Sequence, residues 1–473
     1  MKPESRAFKT SATQALANES LRKALGGIKH GFVANRAKAR ANLPEFEQLR
    51  DEAKAVKEHT LAHLDLYLEE FEAKVTQAGG HVHWAPNAED ARAIIEKICR
   101  DANAKTVTKG KTMIGEEIAI NEHLASAGIT PVETDLGEYL IQIRNEPPSH
   151  IIAPAIHLTK EQVEADFREI HKHLPKDRVL EEPGQLVAEA RQVLRDRFLA
   201  ADVGITGANL LIAETGTSVI VTNEGNGDLT QCLPRIHIVI ASIEKTVPTL
   251  EDADTILRLL ARSATGQEFS TYTTFSTGPK RPGDPDGPEE YHVVLLDNCR
   301  TEMLVSEFHD MLRCIRCGAC MNHCPVYGTV GGHAYGWVYP GPMGAVLAPS
   351  LIGIDEAGHL PNASTFCGRC EAVCPMRIPL PKMMRHWRER EYEKGNTPAG
   401  FKFGLKLWAF AARRPRLYQA LMGMAMPVMA KLAGKKHRFT WLPLAGGWTH
   451  HRDLPAPQGK TFQQLWRERE ARS

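Results

Sequence analysis

Apolar positions repeat at helical spacing through the first part of the chain. In LPEFEQLRDEAKAVKEHTLAHLDLYLEEFEAKV, the residues Leu61, Leu64, Tyr67, Leu68 and Phe71 fall three or four apart, with charged side chains between them. This pattern predicts helices over residues 8–78, ended by Gly79-Gly80. No chemistry is visible in that stretch.

The rhythm then changes. From about His81 to Leu296, short β-branched runs alternate with longer amphipathic stretches. KTVTK (Lys105 to Lys109), TPVETD (Thr130 to Asp135), HIIAPA (His150 to Ala155), TSVIVT (Thr217 to Thr222), RIHIVIA (Arg235 to Ala241) and HVVLLD (His292 to Asp297) predict strands. AEDARAIIEKICRDA and GQLVAEARQVLRDRFLAA predict helices between them. Such alternation implies an α/β domain with a mainly parallel sheet, whose ligands bind beyond the carboxyl ends of strands. The resulting plan is α/β plus α: a helical segment (1–78), an α/β domain (79–298), a helical cysteine-rich domain (299–395) and a helical tail (396–473).

GGHAYGWVYPGPMGAV, Gly331 to Val346, carries too many glycines and prolines for a regular helix or central strand. Its alternating Tyr335, Trp337 and Tyr339 form either a lid over the cysteine-rich region or a loop packed on the core. Beyond it, PMRIPLPKMMRHWREREYEKG predicts a helix primed by Pro379 and Pro381, and the tail predicts two short helices broken at Pro415.

Charge adds one feature. The chain as a whole is balanced, with 58 Lys and Arg against 57 Asp and Glu, which argues against a general nucleic-acid binder. From Pro375 onward, however, 20 basic residues face 6 acidic ones. A basic tail on an acidic body points to docking on a partner or an anionic surface, or to plain solvated helix faces. The N-terminus lacks the apolar core of a secretory signal. The nearest approach to a membrane span, the uncharged run from Leu417 to Ala430, is interrupted by Pro427 and falls short of the roughly 20 apolar residues that a span needs. The expected location is cytoplasmic, with the inner face of the membrane as a peripheral docking site open to the tail.

The cysteines carry the chemistry. Cys99, Cys232 and Cys299 are scattered, but seven of the ten lie between Cys314 and Cys374. CIRCGACMNHCP places Cys314, Cys317, Cys320 and Cys324 in C-x2-C-x2-C-x3-C-P spacing, the bacterial ferredoxin run for iron–sulfur ligation. CGRCEAVCP adds Cys367, Cys370 and Cys374. Three thiolates two residues apart reach three corners of one cubane, and the fourth, before the proline, turns to the other cluster. Cys314, Cys317, Cys320 and Cys374 are therefore expected to hold one [4Fe–4S] cluster, and Cys324, Cys367 and Cys370 the second. Gly318 and Ala319 let the backbone approach and offer N–H groups. Zinc, which pairs two C-x2-C knuckles, does not explain this run, and disulfides do not suit a chain without a secretory signal.

The second motif has three cysteines where a full run has four, with Ala372 or Val373 in the missing place. The fourth ligand is left open between a non-cysteine group, solvent, Cys299 and a three-iron form; Cys299 otherwise reads as a buried small side chain after YHVVLLD.

Polar residues gather at expected strand ends: Lys109, Lys111, Glu116 and Glu117 after the first, ETDLGE after the second, and Asn209, Glu214, Thr215, Gly216, Asn223 and Glu224 around TSVIVT. They form either a pocket for a small anionic or nucleotide-like ligand or ordinary turns and helix caps. No G-x-G-x-x-G or Walker A motif accompanies them.

KGKTMIGEEI, ETDLGEYLIQI, PPSHIIAPAIH, AETGTSVIVTNEGN, CIRCGACMNHCPVYGTVGGHAYGWVYPGPMGAVL and CGRCEAVCP together resemble the lactate utilisation protein B family over nearly the whole chain. The resemblance implies a lactate-utilisation (LUD) domain related to the NagB/RpiA/CoA-transferase-like superfamily, followed by a ferredoxin-like domain with two clusters on the seven cysteines above. It also implies a subunit of a three-component system that oxidises L-lactate to pyruvate and allows growth on lactate, an oxidoreductase complex in which this chain is not catalytic alone. A Cys-rich redox subunit and a second LUD-type subunit are the implied partners. The three-cysteine second motif is itself like the family. Two positions depart from it: family members usually carry serine where Gly110 stands and glycine where Cys299 stands. A subunit for another 2-hydroxy acid such as glycolate, and a CoA-transferase-like enzyme with Glu214 as covalent nucleophile, are the competing functions.

Overall fold

In a computed structural model, the protein is described over residues 3–443, 446–449 and 452–472. It divides into two compact units, one running up to Glu391 and the other from Tyr392 onward. The N-terminal helices, the α/β segment and the cysteine-rich segment all belong to the first unit.

The first unit is built on ten strands: β1 (His81–Ala85), β2 (Thr106–Lys109), β3 (Thr130–Glu133), β4 (Val203–Gly207), β5 (Leu210–Ile212), β6 (Thr217–Thr222), β7 (Ile236–Ser242), β8 (Thr246–Val247), β9 (Tyr272–Ser276) and β10 (Glu290–Leu296). Six of them form a wholly parallel sheet in the order β1-β10-β7-β4-β2-β3. β7 and β10 are interior strands buried on both faces, as a sheet covered by helices requires. The other four strands form a second sheet, β8-β5-β6-β9, in which β6 runs antiparallel to both neighbours. The TSVIVT strand thus belongs to a separate, mixed sheet and not to the parallel one.

The amphipathic stretches form helices as expected, Ala88–Asp101 and Pro183–Leu199 among them. N-terminal helices include Phe46–Ala62 and Leu64–Gln77, whose Phe46, Leu49, Leu64, Leu68 and Phe71 enter the same apolar core as the cysteine-rich segment.

Two local expectations are corrected. His150 to Ala155 is a loop, not a strand: the backbone N–H groups of Ile152 and Ala153 both donate to the buried His150 Nδ1, at 2.9 and 3.1 Å, which turns the chain. Residues 341–346, expected to be irregular, begin the helix Gly341–Leu351, because a proline in the first helical turn removes no bonded N–H. Tyr335, Trp337 and Tyr339 are all buried, so this segment packs on the core instead of forming a mobile cover.

In the second unit, Ala399–Ala412 and Pro415–Ala433 are helices separated at Arg413 and Arg414, and the latter runs through Pro427. Phe403, Trp408 and Phe410 are exposed on the first of them. Among the described residues, no helix is long and apolar enough to cross a membrane.

Candidate functional site: two cysteine groups and a neighbouring cleft

The first cysteine motif lies on a tight loop. Arg316 and Gly318 take left-handed φ values of +57° and +70°, and the short helix Ala319–Asn322 follows. Cys314, Cys317, Cys320 and Cys374 line one small cavity of about 20 Å³, together with Ile151, Met311, Met343 and Leu380. Cys374 reaches it from the second motif. Burial, then the charge of the neighbouring thiols, pushes Cys317 up to about 12 and Cys374 to about 11. Backbone N–H groups face the sulfurs: Ala319 toward Cys317, and Ile378 and Met376 toward Cys374. Three buried thiols and the half-buried Cys314, which repel one another as anions and have amide donors aimed at them, suit a positively charged iron core that takes them as thiolates.

Cys324, Cys367 and Cys370 form the second group, each within electrostatic range of the others. This group is nearer solvent, with Cys367 exposed. Cys299 belongs to neither. It caps the helix Arg300–Leu304 at φ +70°, half-buried, and its charged neighbours are Glu302, Asp297, Arg300 and Glu117. The left-handed backbone there is one that glycine adopts freely and cysteine does not.

The supposedly silent N-terminal helices brace this site. Arg50 donates to the carbonyl of Cys374 from Nε and Nη2, at 3.1 and 2.6 Å, and to that of Ala372. Arg36 donates to the carbonyl of Val373 at 2.8 Å. On the other side, His150 Nε2 meets Asn322 Oδ1 at 3.0 Å, and Tyr327 donates to the Ser149 carbonyl at 2.7 Å. Burial, with Lys111 nearby, holds His150 down to about 3, so its ring is neutral.

A buried ionic chain joins the cysteine loop to the parallel sheet. Arg300 donates to both oxygens of Glu117, from Nη1 at 2.9 Å and Nη2 at 2.8 Å. Its Nε lies 2.9 Å from Glu244 Oε2 as an ion pair without hydrogen-bond alignment. Arg316 Nη2 donates to Glu244 Oε1 at 3.2 Å, and Tyr339 donates to Glu117 Oε2 at 2.7 Å. Burial opposes ionisation of Glu244, but Arg300 and Arg316 outweigh it and hold the carboxyl at about 2. A second buried set surrounds Lys109, which pairs with Glu116 at 2.9 Å and Glu133 at 2.7 Å. Burial lifts Glu133 to about 7 despite that lysine.

Beyond the carboxyl ends of β2, β4 and β7 opens a cleft of about 310 Å³. Lys111, Asn209, Asn223 and Glu224 line it, as the clustering of polar residues at strand ends anticipates. Lys109, Glu116 and Glu117 do not; they are committed to the buried ion pairs. Glu214 lies outside the lining and accepts from the Leu250 N–H at 2.7 Å, which is capping chemistry at the helix Leu250–Ala264. Thr215 and Gly216 likewise form a turn before β6. Lys245 and Arg316 also line the cleft, and sequence patterning does not single them out. In the sequence, Arg316 is legible only as a charged residue inside the cysteine motif.

A two-motif cysteine segment packed on a mixed α/β domain defines an iron–sulfur protein with a LUD domain. Family models match in the same arrangement: LUD domain over residues 68–296, 4Fe-4S dicluster domain over 310–378, and Lactate utilisation protein B, C-terminal over 369–471. The chain is 41% identical to Lactate utilization protein B of Bacillus velezensis, over 99% of this chain and 98% of that one, and 40% identical to that of Bacillus subtilis with the same coverage. It is 42% identical to the uncharacterized electron transport protein YkgF of Escherichia coli, over 98% of this chain and 97% of the other. A DUF162 family protein from Deinococcus radiodurans aligns over 49% of this chain and 98% of its own, at 15% identity and a TM-score of 0.28, too low to inform the fold. The chain belongs to the lactate utilisation protein B family, and its cofactors are iron–sulfur clusters of the 4Fe–4S type.

Proposed function

We propose that this chain is the electron-transfer subunit of a multi-component system that oxidises L-lactate to pyruvate for growth on lactate. The observation that carries this reading is the grouping of seven cysteines into two sets, with Cys374 of the second motif seated among Cys314, Cys317 and Cys320. In this reading those four hold one cluster, and Cys324, Cys367 and Cys370 hold the other. When bound, such clusters accept and release electrons one at a time. The protein's part is to keep one thiol set buried, direct amide N–H groups at its sulfurs, and leave the other set near the surface, where a partner can approach. No flavin or nicotinamide motif supplies the two-electron step, which assigns hydroxyl oxidation to the assembled system.

The implied partners are a Cys-rich redox subunit and a second LUD-type subunit. The basic second unit, with Phe403, Trp408 and Phe410 exposed, is its docking element for a partner or the inner face of the cytoplasmic membrane. The six-stranded parallel sheet supports kinship of the α/β domain with the NagB/RpiA/CoA-transferase-like superfamily. The CoA-transferase-like alternative is weakened by the capping role of Glu214.

The test is anaerobic. The protein is isolated from its host with its bound partners and mixed with L-lactate, while iron–sulfur absorbance and electron paramagnetic resonance are followed. Rapid bleaching with a new reduced-cluster signal is expected. Clusters that respond to dithionite but not to lactate in an intact assembly overturn the substrate assignment, and a response to glycolate alone transfers it.

A further inference from the structure

We propose that the cleft beyond β2, β4 and β7 is a carboxylate-binding site, with Lys245 as its anchor and Arg316 beside it. Lys245 ends the turn that follows β7, at the carboxyl end of a central strand of the parallel sheet. It is 7% exposed and lines the cleft. Among the described residues its ammonium has no hydrogen-bond acceptor. Every other deeply buried lysine is provided for: Lys57 donates to the carbonyls of Glu244 and Thr246, and Lys109 pairs with Glu116 and Glu133. The nearest acid, Glu244, is already engaged by Arg300 and Arg316. Its ammonium faces the cleft, where Glu244 and Cys314 are the groups that favour its charge, and an anion bound there supplies the acceptor it lacks.

Arg316, the charged neighbour with the greatest influence on Lys245, lies over the Tyr339 ring and donates only Nη2 to Glu244; among the described residues its Nε and Nη1 have no hydrogen-bond partner. Asn209 turns its Oδ1 to the Val221 N–H and is a lining residue. Lys245 and Arg316 share the lining with Lys111, Asn209 and the acids Asp135 and Glu224, and walls that include Phe32, Met113 and Ile152 fit a small organic acid better than an inorganic ion. Because Arg316 stands between Cys314 and Cys317, such an acid lies directly beside the buried cysteine set. The choice of a 2-hydroxy or 2-oxo acid rests on the lactate reading above; phosphate shares the recognition chemistry.

The test is calorimetric titration of the full-length, cluster-loaded protein, kept anaerobic, with L-lactate, pyruvate and inorganic phosphate. Lactate or pyruvate is expected to bind, and Lys245→Gln to weaken binding at least tenfold while iron content and visible absorbance stay unchanged. Ala208→Leu, which fills the cleft without touching a charge, is expected to do the same. Binding that survives both substitutions, binding of phosphate alone, or no binding of any of the three overturns the proposal. The two readings fail separately. Lactate that reduces the clusters of the complex but never binds this chain removes the site and leaves the electron-transfer role; binding without reduction does the reverse.

Discussion

Arg300 is 1% exposed and satisfies two carboxylates that are themselves buried, Glu117 and Glu244. Replacing it with methionine keeps most of the volume and removes the charge. Breaking a buried ion pair from one side costs about 3–5 kcal/mol, because the partner is left charged and dry. Here the value falls near the lower end, about 3 kcal/mol, since each acid keeps other donors. Arg316 remains on Glu244, and Tyr339 with Asn298 Nδ2 (2.7 Å) remains on Glu117. With a urea dependence of about 3 kcal/mol per molar for a unit of this size, the unfolding midpoint should fall by about 1 M. The assay is anaerobic urea titration of the loaded protein, followed by far-ultraviolet circular dichroism and by visible absorbance. Adding Glu117→Gln to Arg300→Met removes the stranded charge and is expected to recover about half the loss. A shift below about 0.3 M for Arg300→Met would refute the view that this ionic chain is desolvated and structural.

Other consequences are testable with the same preparation. Cys320→Ser and Cys367→Ser should each lower iron content by about half, with the surviving signal differing between the two, whereas equal loss of both signals in each variant contradicts the separation into two groups. Cys299→Gly should leave iron content unchanged and raise stability by up to about 1 kcal/mol, because it relieves a left-handed cysteine; lost iron would restore Cys299 as a ligand. Burial depresses Lys57 to about 7, so between that value and its ordinary 10.5 the unfolded chain binds the proton that the folded one has released. Stability should therefore rise as pH increases from about 7, and Lys57→Met should flatten that slope; an unchanged slope removes Lys57 as its source. Deleting residues 401–473 should preserve cluster content and abolish co-purification with partners or membranes, and retained association ends the docking role.

The elements with strong periodicity are legible in the amino-acid sequence itself. β2, β3, β7 and β10 stand where alternation places them, because their residues are buried on a parallel sheet that selects β-branched side chains. His150 to Ala155 has the same composition yet forms a loop, since one buried imidazole captures two backbone N–H groups and overrides propensity. Cysteine spacing, fixed by local loop geometry, is readable residue by residue. The roles of Lys245, Arg300 and Arg316 are not, because their meaning arises from Glu117 and Glu244 at distant positions, and no local pattern records which charges will meet.

The grip of Arg36 and Arg50 on the carbonyls of Val373 and Cys374 also bears on how the protein comes into being. These contacts span 337 and 324 residues of chain. A ribosome delivers the two arginines first and the loop they hold almost last. Contacts of such sequence separation close late and slowly, after loop-closure entropy has been overcome. The cysteine loop therefore gains its final shape only when nearly all of the first unit has emerged and docked. Metal loading of the braced loop accordingly waits for the first unit to be complete, and truncated translation products can carry the first cysteine motif without Cys374 or the arginine clasp that holds it.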